Sequence, residues 1–362
     1  MIRRGIAALL RKPLYWLLLA IPAAIVLDVL ETPALWGLAA SAVAMVPLAG
    51  MVGEATESLA AQTGPRLGGL LNATLGNAAE LIITIVAIRE GLLELVKASI
   101  TGSILGNLLF VLGASMLAGG LRNGIQSFDR KKALSDGILL VLAVTALAIP
   151  SLFSQTQGGI VEALQVEILS LGVAALMMVL YVLGLVMSLR DQGSLLSRPS
   201  AEPIVHAKAW PLSVSIAVLT AATVGLVWMS EILVSRVQPV VAELGISEFF
   251  LGVILVPIVG NVAEHLVAVT VAHKNQMGLS FEIAVGSSMQ IALFVAPALV
   301  FLSLLLGNPL TLVFNSFELI ALVGGVMIAA LASADGESNW LEGAELVALY
   351  LMLALAFFFL PS

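Results

Sequence analysis

The chain has no cysteine and very little charge. Without cysteine there is no disulfide, no thiolate nucleophile and no cysteine zinc site. Only 11% of the 362 residues are charged and 60% are hydrophobic, whereas soluble domains are about one quarter charged. The mean hydropathy is +1.09. This balance excludes a soluble enzyme and describes a polytopic membrane protein whose first partner is the lipid bilayer. With 23 acids against 16 bases and a net charge of −7, no nucleic-acid partner is expected. Neither H-E-x-x-H nor G-x-S-x-G occurs, so an intramembrane enzyme has no motif behind it, and no cofactor is called for.

What is present is a series of apolar stretches. A bilayer core about 30 Å thick takes about 20 apolar residues per helix. Eleven such stretches occur, at roughly 14–31, 33–56, 68–89, 95–119, 133–153, 164–189, 210–235, 248–272, 279–306, 310–332 and 340–360. The expected fold is all-α with eleven transmembrane helices. The first stretch follows Arg3, Arg4, Arg11 and Lys12, but it carries Asp28 and Glu31 and lacks a clean small-x-small site. It therefore reads as a helix, not a cleaved leader. The longest gap, 191–209, is a hydrophilic linker.

Alternate gaps lie on one side of the membrane. The side of the N-terminus holds Arg3, Arg4, Arg11, Lys12, Arg66, Arg122, Arg130, Lys131, Lys132, Arg190, Arg198, Lys208 and Lys274, which is 13 of the 16 bases. The other side holds Arg89, Lys97 and Arg236. The excess predicts a cytoplasmic N-terminus and an external C-terminus. A compact chain of this kind suits a bacterial inner membrane, and a homo-oligomer is compatible with it.

The chain repeats itself. Residues 76–114 and 260–298 align without gaps at an offset of 184, with 11 of 39 positions identical. The matches include polar pairs: Gly76/Gly260, Asn77/Asn261, Glu80/Glu264, Gly102/Gly286 and Ser103/Ser287. The offset maps the third stretch onto the eighth and the fourth onto the ninth, so the repeating unit is five helices. An odd unit enters the membrane from opposite sides in its two copies. The expectation is a 1+5+5 arrangement with inverted topology: an N-terminal segment 1–32, repeats 33–190 and 210–362, and a site near the midplane where the repeats meet.

Glu80 and Glu264 lie deep in their apolar stretches. A bare charge at the centre of a transmembrane helix costs about 2.5–3.5 kcal/mol on insertion scales. No Lys or Arg lies at that depth, so each carboxylate is either protonated or neutralised by a bound cation. Two facing carboxylates suit one divalent cation or protons, not both together, and that competition is proton-coupled exchange. Oxygen ligands and the absence of sulfur favour a hard cation such as Ca²⁺. Gly76 and Gly260, one turn before each Glu, allow close approach and a loosened backbone whose carbonyl could face the ion. Asn77 and Asn261 offer amide oxygens, and Ser103, Ser287, Asn107 and Gln290 could face the pair. These polar residues could equally serve as interhelical hydrogen bonds. His265 is either a proton relay or one more such bond. Glu54 and Glu231 are expected at opposite mouths of the pathway.

The strings GNAAELIITIVAI, KASITGSILGNLLFVLG, GNVAEHLVAV and GSSMQIALFV resemble the two alpha-repeats of the cation/proton exchanger family, within the cation/calcium exchanger superfamily. ATESLA, GGLLNATLGNA and SADGESNWLEG resemble further segments of it. The resemblance implies Ca²⁺/H⁺ antiport with Ca²⁺ and H⁺ as transported ions, and Glu80 and Glu264 as their site. It also implies backbone oxygens from Gly76 and Gly260 and support from Asn107 and Gln290. Sodium/calcium relatives carry hydroxyl residues and an extra acid where Asn77, Asn261 and Gln290 stand here. A sodium/calcium or monovalent-cation exchanger is the nearest alternative, and a passive cation channel a more distant one. The 190–209 linker lacks strong acidity, so no Ca²⁺ sensing is expected from it.

Overall fold

The computed structural model describes residues 13–156, 163–191 and 210–360. Residues 192–209 of the linker, with Arg198 and Lys208, and the N-terminal Arg3, Arg4, Arg11 and Lys12 lie outside the described residues. The fold is α-helical, apart from one two-residue antiparallel ladder that pairs Gln126 with Ser338 and Ser127 with Glu337. Among the described residues, eight helices are long and apolar enough to cross a membrane, and Pro13–Val29 and Ser316–Ala332 are shorter apolar helices.

The sequence boundaries need three corrections. The second stretch does not end at 56: helix continues as the span Ala34–Thr63 within a helical run Ala34–Leu75. A Cβ on Gly68 would sit 2.5 Å from the Ala60 carbonyl oxygen, so the run is not straight between those residues. Eight residues of straight helix would hold those positions about 12 Å apart. The third stretch is broken at Gly76–Asn77, and helix resumes as Ala78–Arg89. The tenth starts late, at Ser316, because Asn308-Pro309 keeps the preceding segment extended. There Asn315 and Glu318 form a capping box, the Asn side chain accepting from the Glu318 amide and the Glu side chain from the Asn315 amide.

The offset of 184 reappears in the backbone. Helices end at Arg89 and His273, and begin again at Leu93 and Met277. Each then passes through a π-helical stretch, Gly106–Val111 and Ile291–Val295, before the α-helix resumes at Leu112 and Ala296. A π stretch at matching places in both copies is a shared feature of their sequence, and such stretches concentrate at functional sites.

Two compact units form, and neither coincides with a sequence repeat. Each draws helices from both halves of the chain. The first comprises Met1–Val86, Leu185–Glu248 and Val259–Ala263, and the second Ala87–Gly184, Phe249–Ile258 and Glu264–Ser362.

In the first unit the helices Ala34–Leu75 and Leu212–Leu244 run antiparallel. Gly37 faces Arg236 and Gly225 faces Leu48, while Ser215 donates to Ser58. The residue numbers in each of these pairs add to 273, so one register holds along the pair. The second unit is tied through its turns. Asn308 donates to the Ile88 carbonyl and Lys97 to that of Val313. Gln126 donates to the carbonyl of Ala272, and Arg122 meets His273. Within it, Gly102 packs against the backbone of Val253 and Gly252 against that of Leu95, contacts that leave no room for a Cβ.

Candidate functional site

The first unit gathers part of the expected site. Glu80 is 2% exposed, as are Asn77 and Asn261. The break at Gly76–Asn77 puts Glu80 in the first turn of Ala78–Arg89, not twelve residues into a helix. A helix N-terminus carries partial positive charge and stabilises a carboxylate. Asn261 Nδ2 donates to Glu80 Oε1 at 2.5 Å. Here Asn261 presents its amide nitrogen to the acid. Thr84, one turn after Glu80, donates to the Glu80 carbonyl at 2.7 Å. A Cβ on Gly260 would come within 2.8 Å of Glu80 Cγ. The acid of the first motif thus rests on the glycine and asparagine of the second.

The second unit gathers the rest. Asn107, inside its π stretch, donates from Nδ2 to Ser287 Oγ at 3.0 Å. His265 Nε2 lies 3.1 Å from Asn107 Oδ1. Since that amide oxygen only accepts, Nε2 carries the proton. Asn107 thus links His265 and Ser287 in one chain of hydrogen bonds. Ser103 is 2% and Ser287 7% exposed, while Glu264, His265 and Gln290 are half-buried. Glu264 follows Asn261 by three residues on the continuous helix Val256–His273, a spacing that puts the two on one helical face. Among the described residues no cluster of three or more His, Cys, Asp or Glu occurs. A cation held here would take much of its oxygen from amides, hydroxyls and carbonyls.

The profile of the family described as Sodium/calcium exchanger protein matches residues 33–190 and 214–359. The chain belongs to the sodium/calcium exchanger family. This exchanger is 44% identical over 334 residues to the Ca(2+)/H(+) antiporter of Aphanothece halophytica, covering 89% of each chain. It is 42% identical over 343 residues to the Ca(2+)/H(+) antiporter ChaA of Bacillus subtilis, covering 94% of this chain and 97% of that one. The solved structure of native YfkE matches with a TM-score of 0.83 at 40% identity, covering 96% of this chain and 100% of that one. These relatives are transporters, not enzymes, and the likeness to cation/proton exchangers drawn from the paired GNxxE strings agrees with them. The H+/Ca2+ exchanger CAX, with a TM-score of 0.72 at 14% identity, shares the fold.

In this exchanger Glu54 and Glu231 lie inside their helices rather than at the ends that hydropathy marks. The span Ala34–Thr63 runs nine residues past Glu54, and Leu212–Leu244 thirteen past Glu231. Polar continuations (ESLAAQT after Ala55–Thr56 and RVQPVVAEL after Ser235) carried the helices further than hydropathy indicates. By the register of the helix pair, Glu231 is level with Ala42, about 18 Å along the axis from Glu54. Glu54 accepts from the Tyr15 hydroxyl at 2.6 Å, a contact 39 residues apart in sequence with no local signal. The Thr84 bond, in contrast, is legible as an i, i+4 spacing.

Proposed function

We propose that this exchanger expels Ca²⁺ from the cytosol in return for entering H⁺, by alternating access at a midplane site centred on Glu80 and Glu264. The observation that carries the proposal is the cradle of Glu80: a buried acid from one copy of G-N-x-x-E held by Gly260 and Asn261 of the other. A carboxylate kept from water by glycine and amide groups must be cancelled by protons or by a cation, and each displaces the other. Glu264, one turn beyond Asn261, supplies the second charge a divalent ion needs. Gly76, Asn77, Ser103, Asn107, Ser287 and Gln290 complete the oxygen supply, with Glu54 and Glu231 along the access routes. Close relatives named Ca²⁺/H⁺ antiporters support the choice of ions.

We propose eleven spans in the 1+5+5 inverted arrangement, with the N-terminus in the cytoplasm of an inner-membrane protein, and the contacts between turns support the span count. With that count, every turn-to-turn contact joins gaps on one side. Asp28 with Arg236, Ile88 with Asn308 and Lys97 with Val313 all fall outside. Arg122 with His273, Lys132 with Glu282 and the Gln126–Ser338 ladder all fall inside. A miscounted span between any two partners would put them across the membrane from each other.

Proton-driven Ca²⁺ uptake into inside-out vesicles tests the site. Glu80→Gln and Glu264→Gln should each abolish it, and full uptake by either variant overturns the assignment. The family description also keeps sodium/calcium exchange as a second reading. A Na⁺ gradient at clamped pH drives Ca²⁺ flux under that reading and not under the first.

A further inference from the structure

The helix that precedes the repeats reaches into the neighbourhood of the site. Tyr15 is the buried residue of the 3₁₀ turn Pro13–Leu19 and is 1% exposed. Its hydroxyl donates to Glu54 Oε1 at 2.6 Å, a short O–H···O bond. Gly50 lies one turn before Glu54. A Cβ there would be 3.3 Å from Leu14 Cδ2, 3.8 Å from the Tyr15 hydroxyl and 3.8 Å from Ala263 Cβ. Ala263 sits between Asn261 and Glu264 in sequence. The Tyr15 hydroxyl, the Glu54 turn and the helix bearing the site therefore meet at one level of Ala34–Leu75. At its far end the same N-terminal helix is fastened again: Arg236 Nη2 pairs with Asp28 Oδ1 at 2.7 Å and Nη1 donates to the Thr32 carbonyl.

We propose that Tyr15 is a positioning residue for ion exchange, acting through Glu54: its hydroxyl holds the Glu54 carboxylate in the orientation from which ions are handed to and from the site. The inference rests on the transport reading above. A segment outside the repeats thus contributes a group beside Glu54. The hydroxyl engages one carboxyl oxygen and sets the orientation of the side chain. Without the bond the orientation it sets is lost, and exchange slows while the site itself is untouched.

The test is Ca²⁺/H⁺ exchange in proteoliposomes with wild type, Tyr15→Phe, Glu54→Ala and the double variant. Tyr15→Phe keeps the ring and its packing. Turnover should fall about three- to tenfold, the range expected for losing one such hydrogen bond, with the KM for Ca²⁺ and the melting temperature unchanged. In the Glu54→Ala background the same substitution should have no further effect. Unchanged turnover in Tyr15→Phe, or an equal fall in both backgrounds, overturns the proposal. If Glu54→Ala is too slow to compare, the turnover and KM of Tyr15→Phe alone decide. Absence of proton-driven uptake by the wild type would sink the transport reading instead.

Discussion

The two copies of G-N-x-x-E have the same residues and different backbones. At the first, the helix breaks at Gly76–Asn77 and Glu80 opens a new helix with its carboxylate buried. At the second, Gly260 and Asn261 lie within unbroken α-helix, and the irregularity is displaced upstream into the π stretch Leu251–Leu255. Pro257 follows that stretch directly, at the start of Val256–His273; lacking an N–H, it removes one rung there. The same asymmetry recurs one helix later. A Cβ on Gly102 would collide with the Val253 backbone at 2.1 Å, whereas Gly286, its partner at the offset of 184, has open space around it. A repeated sequence thus has two local conformations available to it. Under the transport reading, alternating access is the exchange of those conformations between the halves.

The Gly102 and Gly286 pair gives the sharpest break of this comparison. Gly102→Ala must displace backbone, and overpacking of that kind costs about 3 kcal/mol. Gly286→Ala meets no atom within 4 Å and gains helix propensity of about 1 kcal/mol. Melting in detergent should show the first variant strongly destabilised and the second equal to wild type or better. Equal melting of the two would mean that the asymmetry is not a property of the folded protein.

Gly260→Ala comes next in size and acts on the site. Its Cβ would press on Glu80 Cγ at 2.8 Å, and a side-chain carbon can yield where backbone cannot. The protein should fold. The carboxylate is pushed off the Asn261 amide, and losing a hydrogen bond to a charged group is worth about 1.5–3 kcal/mol. Ca²⁺ uptake should therefore fall by about tenfold or more while melting changes little. Wild-type uptake would detach Glu80 from the work of the site.

Much of this was legible from residue order alone. The offset that aligned the polar pairs also aligns helix ends, helix starts and π stretches, because the two copies share the small and branched residues that set local geometry. The helix break before Glu80 was not legible. Gly-Asn is compatible with both a turn and a helix, and at 76–77 and 260–261 the chain uses one of each, so the choice is made by tertiary contacts such as Glu80 with Asn261. Hydropathy also ended the helices of Glu54 and Glu231 too early, since it registers apolarity and those helices continue on polar residues. The Tyr15 contact joins two segments that no periodicity connects.

The smallest effect concerns the other fastening of the N-terminal helix. Asp28 and Arg236 have side chains 39% and 16% exposed, and a pair that open to solvent contributes about 0.5–1 kcal/mol. The two partners are nevertheless unequal. Arg236 also donates to the carbonyls of Thr32 and Asp28 and lays its stem along Gly37. Asp28→Asn should lower the melting temperature by about 2 °C or less, and Arg236→Met by more, because it also removes the bonds to those two carbonyls. A double-mutant cycle isolates the charge pair from those bonds. Coupling well above 1 kcal/mol would mean that the pair is shielded from water and that the N-terminal helix is held as firmly at Asp28 as at Tyr15. Weak coupling leaves Tyr15 and Glu54 as the tighter of its two attachments.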